Sequence, residues 1–235
     1  MRNDTLTTIA IAILAMCLAT AAHEALGHGS ACLLLGGHIT QLTSVYFDCS
    51  VHREIWIPAG GPLGNLAAAL LAWIGLRVAT GGRMRLFLML LFAFSIFWFA
   101  GYVLYSAVKS QGDNAIVAQM LFGDPDWRWR AGLGVLSVLV YWIGRSQIAG
   151  RTATLRIAWV AGLISAALAA LLYAPDRLEA LHQAALEIGA ASWPLLLPTR
   201  AGENEPEVTR SFEWIAMSVL VFIGFAVTLG HGLPS

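Results

Sequence analysis

From Leu6 to Leu35 the chain is apolar almost without a break, and this run limits what it can become. About twenty predominantly apolar residues suffice to span a bilayer. Similar runs follow at Ile55 to Thr80, Leu86 to Val108, Ala131 to Ala149, Leu155 to Tyr173 and Phe212 to Leu229. The reading is an all-α polytopic membrane protein with about six transmembrane helices, integral to a bacterial inner membrane. Only 12% of the residues are charged, against about 25% in a soluble domain. The 235 residues allow one helical bundle and no large extramembrane domain. Formal net charge is zero, so nothing electrostatic points to nucleic acid. The N-terminus mimics a secretory signal, but the apolar run passes beyond Ala19 to Ala22 and Asp4 spoils the basic lead-in, so no cleavage is expected. Cys17, Cys32 and Cys49 are widely spaced, and the pattern indicates neither a disulfide framework nor a cysteine-based metal site.

Inside the first run stand His23, Glu24 and His28. On an insertion scale, a charge at mid-bilayer costs about 2.5–3.5 kcal/mol, so such residues are rare there unless they bind something. A His-Glu step with a second His one turn later is the pattern of a helical zinc site with a carboxylate beside the metal water. Here the spacing is His-Glu-x-x-x-His, one residue longer than usual. On a regular α-helix, residues five apart point about 140° away from each other. A π-bulge would realign them, and Gly27 and Gly29 are pliable enough to host one. The alternative is that His28 pairs with Glu24, its i+4 neighbour.

His38 to Glu54 has strand character and reads as a short β-hairpin or re-entrant segment. The next run opens with Gly60-Gly61-Pro62-Leu63-Gly64-Asn65. Proline is tolerated in a first helical turn, and the glycines let backbones approach. Asn65 is a lone amide among apolar residues; it serves an interhelical hydrogen bond or holds a substrate or oxyanion. Asp113 follows the third run and suits the N-cap of a helix over Ala115 to Phe122. Pro175 opens an amphipathic stretch to Ala190, read as an interfacial helix with Leu178, Leu181, Ala185, Leu186 and Ile188 on one side.

The order of these motifs resembles the site-2 protease family of intramembrane zinc metalloproteases. The resemblance rests on His23-Glu24 and Gly27-His28-Gly29 running to Leu35-Gly36-Gly37, on the β segment, on Gly61-Pro62-Leu63-Gly64-Asn65 and on the position of Asp113. It departs from the family in the extra residue before His28 and in Asn114 after Asp113. The resemblance implies Zn2+ held by His23, His28 and Asp113, with Glu24 as general base. It implies Asn65 orienting the substrate, Gly61 and Pro62 beside it, and a membrane protein or peptide as substrate. Residues 1–130 would form the protease-like core, and 131–235 three further spans with the amphipathic helix 175–190. Oligomeric state is not readable.

Loop charges suggest orientation. With the N-terminus inside, the inner segments hold Arg2, Arg77, Arg83, Arg85, Arg145, Arg151 and Arg156 with Asp4 as their only acid, and both termini are cytoplasmic. Two other classes stay open. One is a catalytically inactive relative that binds or regulates membrane proteins. The other is a His-box di-iron oxygenase, for which this chain has few ligands near one face.

Overall fold

The computed structural model describes residues 3–52, 54–124, 126–148, 152–173, 175–199 and 207–232. Of the residues used to read orientation, Arg2 and Arg151 lie outside these. The helices are α1 (Thr5–Ala21), α2 (Ser30–Leu34), α3 (Trp56–Val78), α4 (Gly82–Lys109), α5 (Asp113–Phe122), α6 (Trp127–Ser146), α7 (Thr152–Ala170), α8 (Arg177–Ala184) and α9 (Phe212–Phe225). Two strands, β1 (Ile39–Leu42) and β2 (Phe47–Cys49), pair antiparallel in the expected hairpin.

Among the described residues, five helical stretches are long and apolar enough to cross a membrane, as an all-α membrane protein requires. Six were expected. The missing one is α6, which runs for 20 residues but carries Arg128, Arg130 and Arg145 with several glycines and serines. Charge at both ends dilutes its apolar window, although it packs along α4.

The first span is continuous for 30 residues, because α1, a π-helical segment over Ala22–Gly29 and α2 follow without a break. Asp4 caps α1: its carboxylate accepts from the Thr7 amide at 2.8 Å and from the Thr7 hydroxyl at 2.7 Å. This span is the axis of the bundle, with α4, α7 and α9 packed on α1 and α3 packed on the π-helical segment. Its faces are small: Ala12, Ala15 and Ala19 are fully buried. Between apolar helices in lipid, small residues let van der Waals contact replace the missing hydrophobic drive. The crossing with α3 is closest of all. A Cβ at Gly27 would lie 2.5 Å from the Gly60 carbonyl oxygen, so neither helix could stand where it does with larger residues there.

The helix of the second run does not open at Gly60-Gly61-Pro62. α3 starts at Trp56 and runs through Pro62. Pro58 falls in its first turn, where a missing amide costs nothing.

The expectation of no disulfide is overturned. Cys32 and Cys49 are joined, closing a separation of 17 residues, and Cys17 is free and buried. Widely spaced cysteines gave no signal in the sequence; the turn after α2 brings them together. Gly36 adopts φ +77° and the Gly37 amide donates back to the Cys32 carbonyl at 2.9 Å. The bond ties β2 to the end of the first span. In the chain-entropy picture a loop of this size contributes about 3 kcal/mol.

The stretch after Pro175 also differs from its reading. α8 passes into a second π-helical segment, Ala185–Ala190, and the buried positions are Ala180, Ala184, Glu187 and Ile188. Leu178 is 80% exposed. Leu178 faces outward, Leu181 and Leu186 are half-buried, and Ala180, Ala184, Glu187 and Ile188 face the bundle.

Candidate metal centre

The π-helical segment decides the geometry of the first motif. Its backbone bonds close over five residues rather than four, so positions five apart fall on one side. His23 and His28 therefore face the same point. Their rings meet edge to face with centroids 4.9 Å apart. The inserted residue, which on a regular helix would separate them, is absorbed by the wider turn.

Asp113 arrives from the other side. α4 ends at Ser110 in a left-handed conformation, φ +55°, and Gly112 follows at φ +82°. The Ser106 hydroxyl donates to the Gln111 carbonyl at 3.0 Å and fixes this turn. Asp113 is then the first residue of α5, not its cap, which is Gly112. Its Oδ2 lies 3.3 Å from His23 Nε2 and 3.2 Å from His28 Nε2. Burial alone would raise the Asp113 carboxyl, but the facing His28 and His23 outweigh it and hold it down at about 2.

His23, His28 and Asp113 form a triad able to hold a metal ion. The spacing fits one. In a tetrahedron with bonds of about 2.0–2.1 Å the ligand atoms stand about 3.3–3.4 Å apart, and the two nitrogen–oxygen distances are 3.3 and 3.2 Å. A second observation agrees. A Cβ built on Gly61 would lie 2.5 Å from His23 Nε2 and closer still to His28 Nε2. Only glycine leaves the space between the two nitrogens open.

Each imidazole is held on its far nitrogen. His28 Nδ1 lies 2.6 Å from the Ile57 carbonyl, which fixes the proton there and leaves Nε2 free to ligate. His23 Nδ1 lies 2.9 Å from the Asn65 side-chain amide. Ligation through Nε2 requires Nδ1–H to donate to the amide oxygen, an orientation reached by turning the amide over. Ring faces are covered as well. Trp98 stacks on His23 at 4.7 Å with planes 8° apart, and Phe47 stacks on His28 at 5.2 Å.

Glu24 does not pair with His28. It is buried, and its Oε2 has no hydrogen-bond partner. It lines a cavity of about 320 Å³ together with the triad, β2, His52 and Tyr102.

No family model, curated protein or solved structure matches the chain. The chemistry of the site therefore stands on its own geometry.

Asn65 is fully buried behind His23 and is not among the residues lining the cavity, so its visible contact is with a ring nitrogen. Pro62 is likewise buried within α3, while Gly61 borders the triad itself. His38 lies away from the cavity and is exposed, whereas the exposed His52 is on its wall. The sequence reading missed Trp98, Phe47 and Tyr102, which enclose the two imidazoles. Trp98 and Tyr102 were indistinguishable from the other aromatics of their apolar span, and Phe47 stood out only as a strand residue.

Proposed function

We propose that the chain is an intramembrane zinc metalloprotease. The observation that carries this reading is the convergence of two imidazoles and a carboxylate at metal-ligand spacing beside the unpartnered Glu24. Two nitrogens and one oxygen with room for a fourth ligand suit a catalytic Zn2+. When bound, the metal supplies Lewis acidity to the attacking water and to the scissile carbonyl. Glu24 takes the proton of that water and returns it to the leaving amine. Asn65 and the Ile57 carbonyl keep the imidazoles in the ligating orientation. The aromatic rings on His23 and His28 exclude bulk water from the ligands.

A helical substrate must unwind before its peptide bond is exposed. β2 supplies Phe47, Asp48 and Cys49 to the cavity wall, and in a two-stranded sheet it keeps one edge unpaired. An unwound membrane peptide can add to that edge as a strand. The inserted residue is no obstacle to this reading, because the π-helical segment turns His23 and His28 toward each other.

Cleavage of a transmembrane peptide by the protein in lipid vesicles tests the activity. Glu24→Gln is expected to retain metal and to lose about 10²–10⁴-fold in rate, the usual contribution of a positioned general base. Native-rate cleavage by Glu24→Gln would overturn the reading.

The proposed orientation has the N-terminus in the cytoplasm and the hairpin and cavity mouth on the opposite side. The expected cytoplasmic C-terminal end is not kept, because α9 starts beside Asp4 and Thr7 and Gly232 packs against Thr43 of the hairpin and Tyr173. Disulfides persist in oxidising compartments, and Cys32–Cys49 lies at that mouth. In membranes alkylated as they are denatured, Cys17 alone is expected to label until a reductant is added. Labelling of Cys32 and Cys49 without reductant would put the hairpin on the reducing side.

A further inference from the structure

Outside the triad, three buried polar groups lack a partner and meet at one place. Trp98 Nε1, Ser44 Oγ and Glu187 Oε2 are each shut from solvent with no hydrogen bond. The three residues come from α4, the hairpin turn and the π-helical segment after α8, and all line one cavity of about 10 Å³. Thr20 joins them, and the rest of the wall is apolar. A buried donor or acceptor left unmade costs about 1–3 kcal/mol. Three such costs converging on one void are not three separate packing defects.

The void has the size of one water. A cavity of roughly 10–15 Å³ is the minimum for a water molecule, which also needs two to four polar partners. Empty cavities are lined by apolar groups throughout, and this one is not.

We infer that this cavity binds one ordered water, bonded to Trp98, Ser44 and Glu187, and that Glu187 thereby acts as a positioning residue for His23. The indole N–H donates to the water oxygen. The water donates to the Glu187 carboxyl, and the Ser44 hydroxyl turns to complete the set. The effect reaches the triad through Trp98, whose ring lies flat on His23. A water that fixes Nε1 fixes the indole plane, and the indole plane backs the imidazole. The C-terminal half of the chain thus contributes to a site whose ligands all lie in the N-terminal half.

The water can be read from the tryptophan indole resonances of the detergent-solubilised protein. Trp98 is assigned by the signal that disappears in Trp98→Phe. The native indole proton is expected to show cross-relaxation to a slowly exchanging water. Glu187→Gln, which can still hold the water, should keep that contact, and Glu187→Leu should lose it. Metal affinity, a consequence that rests on the zinc reading, should fall about tenfold in Glu187→Leu and be restored in Glu187→Gln. A native Trp98 indole without water contact overturns the inference, as does a Glu187→Leu protein that keeps it at native intensity. The resonance needs neither metal nor hydrolysis, so its failure is separate from failure of the protease reading.

Discussion

His28→Ala is expected to strip the metal from the protein. The native chain should bind one zinc, measured as metal content after dialysis, and the variant should lose more than the about 10–100-fold in affinity that an outer-shell change costs. The reason is the small number of ligands. Among the described residues only His23, His28 and Asp113 come together as ligands, and each offers one atom. Removing one leaves two, with the carboxylate still buried against His23. Glu24→Gln should behave differently, because Glu24 is beside the triad and not part of it. A native protein that holds no zinc would leave the three residues as a buried ion-pair cluster and sink the account.

Gly61→Ala should have a comparable effect without removing any ligand. The added methyl would lie 2.5 Å from His23 Nε2, and nearer to His28 Nε2, in the gap that separates the two nitrogens. The methyl meets side chains and not backbone, so it displaces the imidazoles from their ligating positions before it parts the helices. Gly60 is the contrast. A Cβ there meets the Gly27 carbonyl oxygen at 2.6 Å, which is backbone and cannot move alone. Gly60→Ala should therefore lower the stability of the bundle, by about 1–3 kcal/mol for overpacking, whereas Gly61→Ala should fold and bind no metal. Stoichiometric zinc in Gly61→Ala would place the ion elsewhere.

The parts of this site that were legible in the sequence are those that lipid makes costly. His23, Glu24 and His28 stood out because ionisable groups in an apolar span need a reason. Their alignment was legible as a condition, that a π-bulge form near Gly27, and the helix meets it over Ala22–Gly29. Asp113 came from the resemblance and not from its own surroundings, since a short turn with two left-handed residues aims it and no local pattern encodes that aim. The hairpin was readable from Ile39, Leu42, Val45, Tyr46, Phe47 and Val51 interrupted by Thr, Ser and Asp.

Other features were hidden for physical reasons. In water, leucine on one face of a helix marks the buried side. In lipid an exposed leucine costs nothing, and small residues mark the packed side instead. The stretch after Pro175 was read by the first rule. Its buried face is Ala180, Ala184, Glu187 and Ile188, with Leu178 outside. The small-residue spacing of Ala180 and Ala184 was the signal that could have turned Glu187 inward. The Cys32–Cys49 bond was hidden because it depends on the turn at Gly36 and Gly37, which no cysteine spacing reports.

The most direct test of the central claim is X-ray absorption at the zinc edge of the loaded native protein. The account predicts two imidazole nitrogens at about 2.0–2.1 Å and carboxylate or water oxygen at about 2.0–2.2 Å, with no sulfur. A zinc–sulfur shell at about 2.3 Å, or an unchanged spectrum in His28→Ala, would contradict it.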